Sequence, residues 1–161
     1  MQKKEIGFSY EVYDSVEEMS KEDARLLNEA RAVTKNAYAP YSHFRVGATA
    51  KLENGQIVSG TNQENASYPV GICAERVLLS TASSLYPNVA IDTLAVSYDN
   101  ENGPSDRPIS PCGICRQSLQ EFEQRTGRHI RLIMGGQKGK VYIIPQASLL
   151  LPFAFTPDEL H

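Results

Sequence analysis

Apolar positions in this chain fall into runs whose period changes along its length, and each change marks a new element. Over residues 20–39 Leu27, Ala30 and Val33/Thr34 share one face at helical spacing, and Pro40 ends the run, which predicts a helix. Residues 45–52 and 56–61 read as strands, and the Asn54-Gly55 pair between them predicts a type I′ hairpin. The stretch CAERVLLSTASSL, from Cys73, returns to helical spacing. Residues 91–98 form a continuous apolar run, a buried strand, followed by a polar loop over 99–108. A second helix follows in CGICRQSLQEFEQRT, running to about Thr126, with Ser110 as its expected N-cap and Pro111 at its first position. Residues 130–134 and 140–144 read as strands, and 146–151 as a short final helix. This alternation predicts an α/β fold, a mixed sheet sandwiched by helices. Ahead of it, Ile6, Phe8, Tyr10 and Val12 alternate with Gly7, Ser9 and Glu11. That pattern predicts a half-buried strand in an extension of residues 1–19, added to a sheet edge or to a partner subunit, before a single domain over 20–161.

At 161 residues and 41% hydrophobic content the chain is long enough for one well-filled core. Its net charge of −3, without a basic run, argues against nucleic acid as a partner, because such binders need positive grooves. No stretch approaches the roughly 18 apolar residues of a membrane span. The opening MQKKEIGFSY lacks the apolar core of a secretion signal, so a reducing, cytoplasmic setting is expected.

All three cysteines lie in two short pieces, Cys73-Ala-Glu75 and Pro111-Cys112-Gly-Ile-Cys115. An odd count argues against a closed disulfide framework. A Cys-x-x-Cys pair alone is equally a redox motif or half of a structural zinc site. A structural Cys₄ site needs a fourth thiol, whereas three protein ligands and an open position are the pattern of catalytic zinc. Three thiolates on Zn²⁺ leave a net charge of −1, which weakens the metal as an acid. The N-termini of the two helices, and Arg76 through expected hydrogen bonds to the sulfurs, draw that charge away. Glu75 follows a ligand by two positions. It is placed to move protons between water and substrate without binding the metal. Taken alone, a glutamate in a first helical turn is more simply a dipole partner.

These pieces, together with Ala37-Tyr-Ala-Pro-Tyr-Ser-His-Phe44-Arg-Val-Gly-Ala48, Asn62-Gln-Glu64-Asn-Ala66-Ser-Tyr68-Pro and Leu151-Pro-Phe-Ala-Phe155, resemble the homotetrameric-type cytidine deaminases from about Leu26 onward. The resemblance implies a three-layer α/β/α fold with a mixed five-stranded sheet, and one Zn²⁺ per chain on Cys73, Cys112 and Cys115. It implies hydrolytic deamination of cytidine and deoxycytidine to uridine and deoxyuridine, with release of ammonia and with Glu75 as the proton carrier, in pyrimidine salvage. It also implies nucleoside contacts at Phe44, Asn62, Glu64, Ala66, Tyr68, Ala74 and Phe155. Among these, Asn62 and Glu64 hold the ribose 3′-hydroxyl. Ala66 and Tyr68 reach the 5′-hydroxyl in a neighbouring subunit, and Phe155 stacks on a neighbour's pyrimidine, so the expected assembly is a homotetramer with shared sites. Read without the family, Asn62 and Glu64 are a polar turn, Phe44 a core aromatic and Phe155 a tail anchor. His43, His129 and His161 have no ligand spacing and read as solvated. Ile114, where alanine is common, and Arg45 after Phe44 are departures that bear on the pocket rim. Two other functions stay open: a deaminase of modified cytosine nucleosides, and a zinc-stabilised module without catalysis, which would have no use for Glu75.

Overall fold

A computed structural model describes residues 1–160 of the chain. Helix α1, Lys21–Val33, is opened by Ser20, whose hydroxyl accepts the Asp23 amide at 3.1 Å, with Glu22 and Asp23 in the positive first turn. It buries Leu26, Leu27 and Ala30. The helix is shorter than the 20–39 expected from its apolar period. Thr34 caps it by donating to the Arg31 carbonyl, a 3-10 turn over Thr34–Asn36 follows, and the Tyr38 amide is diverted to the Asn62 carbonyl at 3.0 Å.

The strands are β1 (Glu11–Tyr13), β2 (Phe44–Leu52), β3 (Ile57–Thr61), β4 (Ile91–Asn100), β5 (Arg131–Gly135) and β6 (Val141–Ile144). They form one sheet in the order β1-β6-β5-β4-β2-β3, parallel only between β4 and β5. Helices α2, Ala74–Leu85, and α3, Gly113–Thr126, pack on the face opposite α1. Alternation along the central strands divides the core accordingly. Leu94, Val96 and Leu132 join Leu78, Leu79, Leu119 and Phe122, while Ala95 and Ile133 join Leu26, Leu27 and Ala30. Both faces of β4 and β5 are therefore covered, which accounts for their uninterrupted apolar runs.

The sheet has six strands, not five. The additional strand is β1, which satisfies the outer backbone edge of β6 in the register Glu11↔Ile143, Val12↔Tyr142 and Tyr13↔Val141. The alternation upstream does not bury a face: Ile6, Phe8 and Tyr10 precede the strand and are exposed, as is Val12. The hairpin at Asn54-Gly55 differs from the type I′ expectation as well. Only Gly55 takes positive φ, at 82°, while the Gly55 amide donates to the Leu52 carbonyl at 2.9 Å. This is a three-residue loop closed by a left-handed glycine, a form that suits strand twist equally.

Gly60 decides how closely α2 lies on the sheet. A Cβ there would sit 2.5 Å from both the Ala74 carbonyl oxygen and the Leu78 nitrogen. The absent side chain lets the first turn of α2, with its chemistry, settle directly on β3.

Candidate active site

Cys73 is the N-cap of α2 and Cys112 the N-cap of α3, and neither thiol is spent on capping its helix. Ser110 is thus not the N-cap its residue type favours; the chain is extended at Cys112, and the Cys112 carbonyl accepts the first helical bond from Arg116 at 2.9 Å. Cys115 lies at the third helical position, where its side chain turns back over the same N-terminus as Cys112. The Cys73 and Cys112 sulfurs are 3.8 Å apart and those of Cys112 and Cys115 3.6 Å, with all three sulfurs within 4.8 Å of one another. A tetrahedral zinc with bonds near 2.3 Å needs sulfurs about 3.8 Å apart, so the donor set fits the metal in kind and in spacing. Free amides at both helix starts favour negative sulfur here. The neighbouring Cys115 thiol, first of all, draws the Cys73 thiol down to about 6, and the proximity of Cys73 together with burial pushes the Cys115 thiol up.

Glu75, at the second position of α2, is only 5% exposed. Burial raises its carboxyl above the ordinary value, against the lowering influence of its own backbone amide and of the nearby Cys115 thiol. Beside it opens a cavity of about 340 Å³, lined by Phe44, Val46, Asn62, Glu64, Ile72, Ala74, Ile109 and Ser110 as well as by Cys73, Glu75 and Cys112. Phe44 stacks on Tyr98 with ring centroids 4.9 Å apart, forming a flat apolar wall. The Asn62 side chain accepts from the Val46 amide at 2.7 Å and donates to the Phe44 carbonyl at 2.9 Å, which stitches it to β2. Glu64 accepts from the Tyr41 amide at 2.9 Å, the Ser42 amide at 3.2 Å and the Ser42 hydroxyl. Partial desolvation pushes the Glu64 carboxyl up, but these donors outweigh it and hold it below the usual range.

The structure separates the remaining expected residues from this cavity to different degrees. Tyr68 lines its rim, is 75% exposed and meets Tyr41 edge-on. Ala66 is exposed and is not part of the wall. Phe155 is 60% exposed on a tail whose backbone is held by Gln117 at 2.9 Å, outside its own chain's cavity. Arg76 makes no hydrogen bond to the sulfurs among the described residues; it lies in the groove between α2 and α3 with Leu79, Phe122 and Arg125. Its charge still helps to lower the Cys73 thiol. His43 is half-exposed and contacts Glu101 at 3.1 Å, His129 is exposed, and His161 lies outside the described residues. A second cleft of about 340 Å³ between α1 and the sheet is lined by Glu22, Asp23, Lys51 and Arg131, whose charges are already paired with one another.

Arg116 was not anticipated from the sequence. Its guanidinium donates to the Pro111 carbonyl, the Leu150 carbonyl and the Ser110 hydroxyl at 2.8–2.9 Å, tying the loop before α3 to the C-terminal segment. The cradle that Tyr41 and Ser42 form around Glu64 was also unforeseen, since it joins residues 22 and 23 positions apart.

Three converging sulfurs beside a buried carboxyl, at the base of a cleft, define a zinc-dependent hydrolase. The cytidine and deoxycytidylate deaminase zinc-binding region matches residues 20–128. A cytidine deaminase of Halalkalibacterium halodurans is 35% identical over 136 residues, covering 84% of this chain and 96% of that protein. One from Mycoplasma genitalium is 37% identical over 136 residues, covering 84% and 88%. The solved cytidine deaminase of Burkholderia pseudomallei superposes with a TM-score of 0.72 at 34% identity, covering 85% of this chain and all of that one. The chain belongs to the cytidine and deoxycytidylate deaminase family. Its resident cofactor is one zinc ion, and the group formed by Cys73, Cys112 and Cys115 is consistent with it.

Proposed function

We propose that the protein hydrolyses cytidine and deoxycytidine to uridine and deoxyuridine with release of ammonia, and that Glu75 carries the protons. The observation behind this reading is the placement of the buried Glu75 carboxyl beside the three sulfurs at the base of one nucleoside-sized cavity. When bound, zinc supplies the Lewis acidity that lowers the pKa of water toward neutrality. Glu75 takes a proton as water attacks C4 of the cytosine ring and delivers it to N3. It then serves the departing amino group in the same way, so one carboxyl acts as base and as acid. A carboxyl raised by burial is suited to that exchange, because neither of its protonation states is too stable. Ala74 and Phe44 frame the base, and Asn62 and Glu64 take the sugar 3′-hydroxyl.

The assembly in this reading is a homotetramer with shared sites. Tyr68 and Phe155 are large, exposed side chains next to the cavity mouth and on the docked tail, and Ala66 is exposed beside the first of them. Exposed aromatics of this kind are suited to completing a neighbour's pocket. Residues 1–19 are an extension of a single domain over 20–161. No helix among the described residues is long and apolar enough to cross a membrane. Three free thiols suit a reducing cytoplasm, and the reaction suits pyrimidine salvage.

The test is ultraviolet-monitored loss of both nucleosides by the purified protein, with zinc measured on the same sample. Turnover with about one zinc per chain is the expected result. Bound zinc without turnover of either nucleoside would overturn the substrate assignment.

A further inference from the structure

Glu64 reaches the cavity already holding three hydrogen bonds. The Tyr41 and Ser42 amides both donate to Oε2, at 2.9 and 3.2 Å, and the Ser42 hydroxyl donates to Oε1. The direction of that hydroxyl is set by its other bond: Ser42 Oγ accepts the Phe44 amide at 3.1 Å, which leaves its single proton for Glu64. A carboxylate has about four acceptor positions. Three are taken, and the one remaining belongs to Oε1.

The loop that presents Tyr41 and Ser42 is itself held at both ends. His43 sits at φ 56° with its amide donating to the Ala39 carbonyl at 3.0 Å, and the Glu101 amide donates to the His43 carbonyl at 3.0 Å. Arg45 donates to the Ala37 carbonyl at 2.9 Å and pairs with Glu101, which also contacts His43. On the neighbouring strand end, Asn62 has one Nδ2 hydrogen free after donating to Phe44. A hydroxyl placed between the two residues would find one acceptor and one donor.

We propose that Ser42 is a positioning residue for sugar recognition: with the Tyr41 and Ser42 amides it orients Glu64 so that a single acceptor position is left for one sugar hydroxyl. The proposal rests on the reading of Glu64 and Asn62 as the ligands of the 3′-hydroxyl. Without the Ser42 hydroxyl, Glu64 Oε1 is free to rotate out or to recruit water, and the nucleoside must displace that disorder on binding. The loss falls on substrate binding and not on chemistry at the base, which lies at Glu75.

The experiment compares steady-state kinetics of the full-length, zinc-loaded protein on cytidine and 3′-deoxycytidine. Ser42→Ala is expected to raise KM for cytidine about tenfold, with kcat within about twofold, and to leave KM for 3′-deoxycytidine unchanged. Ser42→Thr, which keeps the hydroxyl, is expected to restore the KM for cytidine. Glu64→Gln is expected to lose cytidine selectively and more severely. If Glu64→Gln behaves so while Ser42→Ala affects both substrates equally or neither, the role of Ser42 is overturned and that of Glu64 stands. If Glu64→Gln affects both substrates equally, the sugar reading fails, and the proposal fails with it.

Discussion

Asp23 and Arg131 show how a single pair stabilises this fold with pH. Their two contacts, at 2.5 and 2.9 Å, join the first turn of α1 to the start of β5. Burial raises the Asp23 carboxyl, and the hydrogen bonds from Arg131 and Ser20 overcome it, so its folded value lies below the ordinary one. A carboxyl depressed on folding stabilises the protein above its unfolded pKa, and the gain is lost as pH falls through the folded value. Asp23→Asn is expected to cost about 1.5–3 kcal/mol at pH 7, with the difference from the native protein shrinking below about pH 4 in urea titrations. A difference independent of pH would place the effect in packing and not in charge. Individual residues varied in how far they could be read ahead of the structure. The clustering of the three cysteines was legible because the chain has no other thiols and their spacing from helix starts is local. Arg76 was read as a sulfur donor from adjacency alone, but successive helical positions turn by about 100°, and its side chain leaves the cluster for the α2–α3 groove. Ser42 escaped notice because Glu64 lies far from it in sequence, and so did the tie that Arg116 makes to Leu150.

At the level of elements, apolar period and helix-start signals located the three α-helices and the strands β2 to β6, because each buries a stripe or a face against the core, whereas the 3-10 turns at Val16–Glu18, Tyr68–Val70 and Pro157–Leu160 carry no such pattern. Ends were less legible. Ser110 is the better N-cap by residue type, yet Cys112 occupies the position, and α1 stops at a Thr34 cap and a 3-10 turn, ahead of the Pro40 that its sequence offers as a stop. Residues 6–12 alternate like a strand, but alternation does not say which backbone finds a partner, and only Glu11–Tyr13 pairs with β6. The contact of α2 with β3 has a direct test. Gly60→Ala would set a Cβ 2.5 Å from backbone atoms of Ala74 and Leu78. It is expected to lower stability by about 1–3 kcal/mol and to reduce turnover as well, since the shift displaces Cys73 and Glu75 together. A variant that is destabilised but fully active per folded molecule would show that α2 tolerates the movement.

For the whole molecule, the two helix N-termini are brought side by side on one face of the sheet, and the strand ends beside them supply Phe44, Asn62 and Glu64. One chain therefore builds both the three-sulfur cluster and the walls of the cavity. The exposed Phe155 lies outside that cavity. If it stacks on a base in a neighbouring subunit, Phe155→Ala should raise KM about tenfold or more, in line with a stacking contribution of about 1–3 kcal/mol, without loss of zinc. Unchanged kinetics in a protein of unchanged assembly state would remove Phe155 from the site.

The most direct measurement is the turnover of cytidine by Glu75→Gln at matched zinc content. The account predicts a fall in kcat of about 10²–10⁴-fold with zinc still bound at one ion per chain, because the substitution removes the proton carrier and leaves Cys73, Cys112 and Cys115 intact. Native turnover in that variant would contradict the assignment of Glu75 and, with it, the mechanism.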